Sequence, residues 1–414
     1  MELIKPDINI NFVGLRYKAF IASGLLILIT IVSLIAHGGP NYGIDFAGGI
    51  LVQVRFKSDT GPGDIKAALK PLGMETALVQ RFGEKKGHEY LIRDERKELK
   101  LEGLAGRIGK ALEAKYGAGN FEVRRVEMVG PKVGKDLREK ALLAILYSIL
   151  MIVVYISGRF EQKWGLAALT AGVLVVATLI VQAVLSAAGG GEGSGAVWLI
   201  ITALVVTVGL CWLMKLRYAL GAIVALIHDV AITVGVFSVL GREFTLATVA
   251  ALLTIIGYSL NDTIIVFDRI RENLKKAGKT PLSEVINASV NQTLSRTILT
   301  SGTTLLVLAC LYILGGGVIQ DFALAMLVGV GVGTYSSVYV ASPILLALPE
   351  GAPLFAIRRR SPRRPARGPA VRRTAPEAAA EMVPERTERE TSPIKTASAK
   401  KRKKKPGTKK KKRR

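Results

Sequence analysis

"GYSLNDTIIVFD", residues 257–268, sets three polar side chains inside a run, 245–267, that is otherwise largely apolar. A helix of about 20 apolar residues is long enough to cross a bilayer. Asn261, Asp262 and Thr263 would then lie among hydrocarbon. An ionisable residue there is costly and marks either an ion or proton path or a carboxylate that locks helices together by pairing. Helix neighbours at i−3 and i−4 share roughly one face, so Tyr258 and Ser259 are expected to hydrogen-bond Asp262. This stretch decides the fold class, a polytopic α-helical membrane protein.

Composition points the same way. The 414-residue chain is 50% hydrophobic, with a mean hydropathy of +0.36, too apolar for an ordinary soluble enzyme. Its formal charge is +25, but residues 351–414 hold 23 Lys and Arg against 5 Glu, so +18 belongs to a tail and +7 to the rest. "RRRSPRRPARGPAVRR" (358–373) and "KKRKKKPGTKKKKRR" (400–414) cannot build a core, and 349–414 reads as a disordered basic tail. Beside a membrane such clusters attract anionic lipid at about 1 kcal/mol per charge. They also bind phosphate backbones without reading sequence. Anionic lipid is the expected contact, a ribosome tether the alternative, and no specific nucleic acid is expected. Cys211 and Cys310 lie in apolar runs and read as small buried hydrophobes.

Further spans are expected at 19–36, 141–157, 164–187, 196–214, 219–240, 297–314 and 322–348, eight in all. The first follows Lys5, Arg16 and Lys18. It exceeds the ~7–15-residue core of a signal peptide and lacks a cleavage site, so it reads as an uncleaved helix ending the segment 1–36. Lys and Arg crowd "GRFEQK" (158–163), "KLR" (215–217) and a long loop at 269–296. "AGGGEGSG" (188–195) and "GGG" (315–317) have none. The basic loops and both termini are therefore expected in the cytoplasm, and the polar segment 37–140 outside.

That segment reads as β-α-β-β-α-β, a ferredoxin-like α+β module. Strands are expected at "ILVQVRF" (50–56), "TALVQRF" (76–82), "HEYLIRD" (88–94) and "FEVRRVEMV" (121–129). Helices are expected at 64–72 and 99–116, and "GEKKG" joins the middle strands. The bundle occupies 141–348. Within it His228 and Asp229 form a second polar pair, either a relay or an interhelical hydrogen bond. Asp321 reads as a cap or an interfacial residue. Gly43, Gly48 and Gly49 of "NYGIDFAGG" (41–49) allow positive φ and close approach, a rigid exit from the membrane, and Asp45 caps or pairs locally. Gly329, Gly331 and Gly333 permit close helix packing. Arg296 is a cytoplasmic anchor or a partner of the buried acid.

Taken in order, "NYGIDFAGG" (41–49), "LGAIVALIHDV" (220–230), "EFTLATVAALLTIIGYSLNDTIIVFDRIREN" (243–273), "NQTLSRTILTSGTTL" (291–305) and "DFALAMLVGVGVGTYSSVYVASPILL" (321–346) resemble the SecD/SecF family, on its SecF side. The resemblance covers most of 10–348. It implies an RND-like bundle in the bacterial inner membrane, a SecD-like partner, docking on the SecYEG channel, preprotein substrates and use of the proton motive force. It makes Asp262 and Arg296 a proton pathway, with Arg296 tuning the carboxyl because an arginine stays charged, and makes Asp45 and Asn261 signature positions. The chain departs from the six-span family pattern by a hairpin at about 160–215, whose outer turn holds Glu192, and that departure puts the partner surface in question. No P-loop, nucleophile elbow or metal set appears, so no enzyme, cofactor or metal is expected. The alternatives are an RND-type small-molecule exporter subunit and a passive membrane scaffold.

Overall fold

A computed structural model describes residues 8–347 apart from 75–76, 83–87, 95–103, 162–163 and 188–194. The "GEKKG" turn, Glu192 and the basic tail lie outside the described residues. An apolar helix, α1 (Arg16–Ala36), leads through a turn and a short helix α2 (Ile44–Ala47) into the polar segment. There the elements run β1 (Gly49–Phe56), α3 (Pro62–Leu69), β2 (Leu78–Phe82), β3 (Glu89–Asp94), α4 (Leu104–Tyr116) and β4 (Phe121–Val129). The strands make one antiparallel sheet in the order β2-β3-β1-β4.

Side chains alternate across a strand, and β1 obeys that rule. Ile50, Val52, Val54 and Phe56 are buried against Ile65 and Leu69 of α3 and Ile108 and Leu112 of α4. Each such side chain withdrawn from water contributes about 1.5–3 kcal/mol. Leu51, Gln53 and Arg55 point to the opposite face.

β4 passes directly into α5 (Pro131–Glu161), so the helix carrying the expected 141–157 span begins well before it. The bundle continues with α6 (Trp164–Ala187), α7 (Gly195–Leu213), α8 (Arg217–Val239), α9 (Leu246–Lys276), α10 (Leu282–Leu314) and α11 (Gly317–Ser336), followed by a π-helical turn at Ser337–Ala341. That turn precedes Pro343, which lacks an N–H, and Ser342 Oγ donates to Ser337 O at 2.7 Å. Among the described residues, six helical segments are long and apolar enough to cross a membrane: α1, α5, α8, α9, α10 and Gly317–Ile344. The α6–α7 pair stands where the extra hairpin is expected, and its stretch Ile200–Leu213 is apolar but shorter.

The expected loop at 269–296 is a correction. α9 runs on to Lys276 and α10 starts at Leu282, leaving only 277–281 between them. Ile270 on α9 and Ile286, Val290 and Leu294 at helical spacing on α10 are buried in the bundle core, which extends both helices past the apolar runs. Gly278 at φ +57° and Pro281 turn the chain. Asn287 and Asn291 of α10 hold the segment before α1 by its backbone at Ile10 and Val13.

Water does not drive helices together inside a bilayer, so close packing must. A Cβ on Gly329 would overlap Ile255 of α9, and one on Gly333 would lie 2.9 Å from Ser259 Cβ, whereas Gly331 faces open space. Two of the three glycines therefore bring α11 onto α9. Cys211 is buried as expected. Cys310 is exposed on α10, a second correction.

Candidate functional site

α9 carries Asp262 to a position only 2% exposed. Ser301 Oγ of α10 donates to Asp262 Oδ2 at 3.1 Å, and Thr334 Oγ1 of α11 donates to Ser301 Oγ at 2.8 Å. One carboxyl is thus linked through hydroxyls to two other helices. The partners expected for it go elsewhere. The Tyr258 hydroxyl donates to Thr300 O at 3.2 Å and to Thr304 Oγ1 at 3.0 Å. Ser259, a turn nearer the sheet, turns to α8. Arg296 lies inside α10 rather than at the start of a span. It is exposed and forms no direct ion pair with Asp262, yet its charge acts on that carboxyl through space. Asn261 is exposed on α9.

His228 and Asp229 lie in α8 as a compact buried knot. His228 Nδ1 meets Asp229 Oδ1 at 2.9 Å, while Ser259 Oγ (2.5 Å) and Ser336 Oγ (2.8 Å) both donate to Asp229 Oδ2. A proton on Nδ1 serves Asp229 and leaves Nε2 to accept from Ser23 Oγ of α1 at 3.0 Å. The geometry has the form of the interhelical alternative, tying α1, α8, α9 and α11 together. Two buried carboxylates thus flank α9, one enclosed by three donors and one served by a single serine.

At the sheet end of the bundle the glycine turn makes the closest approaches. Gly48 (φ +75°) and Gly49 (φ +117°) have the left-handed backbone that glycine permits. Gly43 is extended, and it is needed for proximity: a Cβ there would lie 3.0 Å from Thr245 Cγ2. Asp45 Oδ2 accepts from Leu246 N at 2.8 Å, so it caps a helix far along the chain rather than its own turn. Burial pushes the Tyr42 hydroxyl above its usual range against the opposing charge of Arg138, whose guanidinium sits 5.3 Å over the ring. Asp321 pairs with Arg242 at 3.2 Å.

Ser301, Thr334, Arg93 and Glu243 escaped the sequence reading. Ser301 and Thr334 had one legible signal, a hydroxyl in an apolar span; Arg93 and Glu243 become visible only through contacts between distant segments. No group of three or more His, Cys, Asp or Glu among the described residues could hold a metal ion.

Comparison with known proteins identifies the family. A family model described as "Protein export membrane protein SecD/SecF, C-terminal" matches residues 108–192 and 192–351, and one described as "SecD/SecF GG Motif" matches 33–60. The break at 192 falls between α6 and α7. A protein of Magnetococcus marinus named "Protein translocase subunit SecF" is 42% identical over 355 residues, 85% of this chain and 96% of its own. One of the same name from Vibrio alginolyticus is 40% identical over 348 residues, 84% of this chain and 92% of its own. The crystal structure of SecDF, a translocon-associated membrane protein from Thermus thermophilus, is similar with a TM-score of 0.62 at 33% identity. That match covers 83% of this chain and 39% of the solved one.

Proposed function

The chain belongs to the SecD/SecF family of protein-export membrane proteins, and from that premise we propose that it is an accessory subunit of the Sec protein translocase, coupling proton passage at Asp262 to motion of its sheet module. The observation that carries the reading is the buried Asp262 linked through Ser301 to Thr334. An ionised carboxyl only accepts hydrogen bonds, so Ser301 must donate to it. A protonated one can donate to Ser301, whose hydrogen must then find another acceptor. Proton entry would therefore rewrite the contacts joining α9, α10 and α11. A hydrogen bond contributes about 0.5–1.5 kcal/mol net, and about 1.4 kcal/mol shifts an equilibrium tenfold. One or two rearranged bonds are enough to bias two bundle arrangements, provided these differ in affinity for the proton.

Arg296 and Asn261 support a partner of SecD type. An arginine facing lipid is costly, up to about 2.5–3.5 kcal/mol at a helix centre on insertion scales, so a protein surface is the better neighbour for the exposed Arg296. Gly257 of α9 and Gly302 of α10 have open space before them, room for a helix of that partner. In the same reading the chain crosses the bacterial inner membrane eight times, six family-like spans plus the α6–α7 hairpin, with both termini in the cytoplasm. The segment 37–140 is an extracytoplasmic ferredoxin-like domain meeting preprotein as it leaves SecYEG, and the basic tail rests on anionic lipid. Arg296 tunes Asp262, while His228 and Asp229 brace it.

The test is preprotein export by membrane vesicles carrying Asp262→Asn, with and without an imposed proton gradient. The expected result is export that no longer responds to the gradient while the SecD-type partner still co-purifies. A full response in the amide variant overturns the reading.

A further inference from the structure

The head of α9 is joined to the sheet module by three independent sets of contacts. Tyr42 and Phe244 form an isolated parallel bridge, in which Gly43 N donates to Phe244 O and Phe244 N donates to Asn41 O, each at 2.7 Å. Leu246 is the first residue of α9, and an N–H in the first turn has no partner within the helix. Asp45 supplies one from a point 201 residues away in sequence, although α9 already has its own capping box in Thr245 and Thr248. Arg93 of β3 reaches across from the sheet. Its Nη1 lies 3.1 Å from Glu243 Oε1 and its Nη2 donates to Tyr42 O at 2.6 Å, with the side chain 6% exposed.

The same turn is wedged against α5. A Cβ on Gly48 would lie 2.9 Å from Pro131 Cα, and one on Gly134 would lie 3.0 Å from Gly48 N. Asp262 sits about 24 Å further down α9 at ~1.5 Å per residue. A continuous helix is a rigid element able to carry a displacement between two such points.

We propose that Asp45 and Arg93 are positioning residues that latch the sheet module to the head of α9, so that the sheet follows the helix bearing Asp262. The latch rests on the coupling reading for its purpose but not for its existence, and the two are tested by different measurements. In the full-length chain, the exposed Cys310 on α10 takes one nitroxide and Lys110→Cys on α4 the other, Cys211 being buried. The intact latch is expected to give one narrow interspin distance by pulsed EPR. Combining Asp45→Ala with Glu243→Ala is expected to abolish the narrow peak. Asp45→Asn, whose amide oxygen still accepts from Leu246, is expected to keep it. A narrow peak retained in the double variant overturns the latch. In vesicles the double variant is expected to lose about fivefold or more of the gradient-stimulated export, whereas Asp45→Asn retains it. Unchanged stimulation in the double variant overturns the claim that the sheet's motion through the latch serves export. Full stimulation in Asp262→Asn refutes the coupling reading instead and leaves the EPR outcome to stand alone.

Discussion

Two carboxylates lie on either side of α9, and their surroundings separate their roles. Asp229 accepts from Ser259 and Ser336 on one oxygen and meets His228 on the other, so an amide in its place, with one acceptor oxygen and one NH2, sets a donor against buried donors on one side. Asp229→Asn is therefore expected to destabilise the solubilised protein by about 1–3 kcal/mol, the cost of unsatisfied buried polar groups, read as a lowered Tm in detergent. Asp262→Asn keeps an amide oxygen that can accept from the single serine and is expected to leave Tm near that of the parent protein. A Tm equally lowered by both substitutions would remove this distinction. The sequence made Asp262 and Asp229 legible because a charge inside an apolar run is conspicuous. It did not show which serine serves which acid: Ser259 is adjacent to Asp262 along α9 yet bonds across to α8.

At the scale of helices, the contact between α9 and α11 rests on glycines a turn apart. Gly329→Val would force a side chain into Ile255, and overpacking of this kind costs about 1–3 kcal/mol. Gly331→Ala enters open space and is expected to leave thermal stability unchanged. Equal Tm values for the two variants would show that α11 does not seat on α9 in this way. The glycine run was legible, but the choice among its members depends on the rotation of α11, which no local pattern records. The lengths of α9 and α10 were misjudged for a related reason. Ile270 of α9 and Ile286 and Val290 of α10 sit among charged and polar residues that resemble a loop by composition, and only burial against the bundle reveals them as the inner faces of two helices.

For the whole molecule the question is which flank meets a partner. α6 and α7 pack on α5 and α8, with Leu146, Leu150 and Ala203 forming a small core between them, and Arg296 and Asn261 lie on α10 and α9. The added hairpin therefore packs on other helices than those bearing the polar flank. Deleting 164–213 and rejoining the chain is expected to preserve co-purification with the SecD-type partner, whereas Arg296→Glu is expected to weaken it. Loss of the partner on hairpin deletion would place the interface on the wrong flank.

By itself the amino-acid sequence determined the helical membrane class, the order of the six sheet-module elements and the presence of an acid among apolar neighbours. Each of these is a local property: the length of an apolar run, a period of two or 3.6, the energetic cost of a buried charge. Only the tertiary structure decided that Asp45 caps α9, that Arg93 reaches Glu243 and that Ser301 serves Asp262. Those pairings join segments far apart along the chain, and the one at Asp45 exists where Gly43 lets its turn approach Thr245 closely enough for a short side chain to reach Leu246.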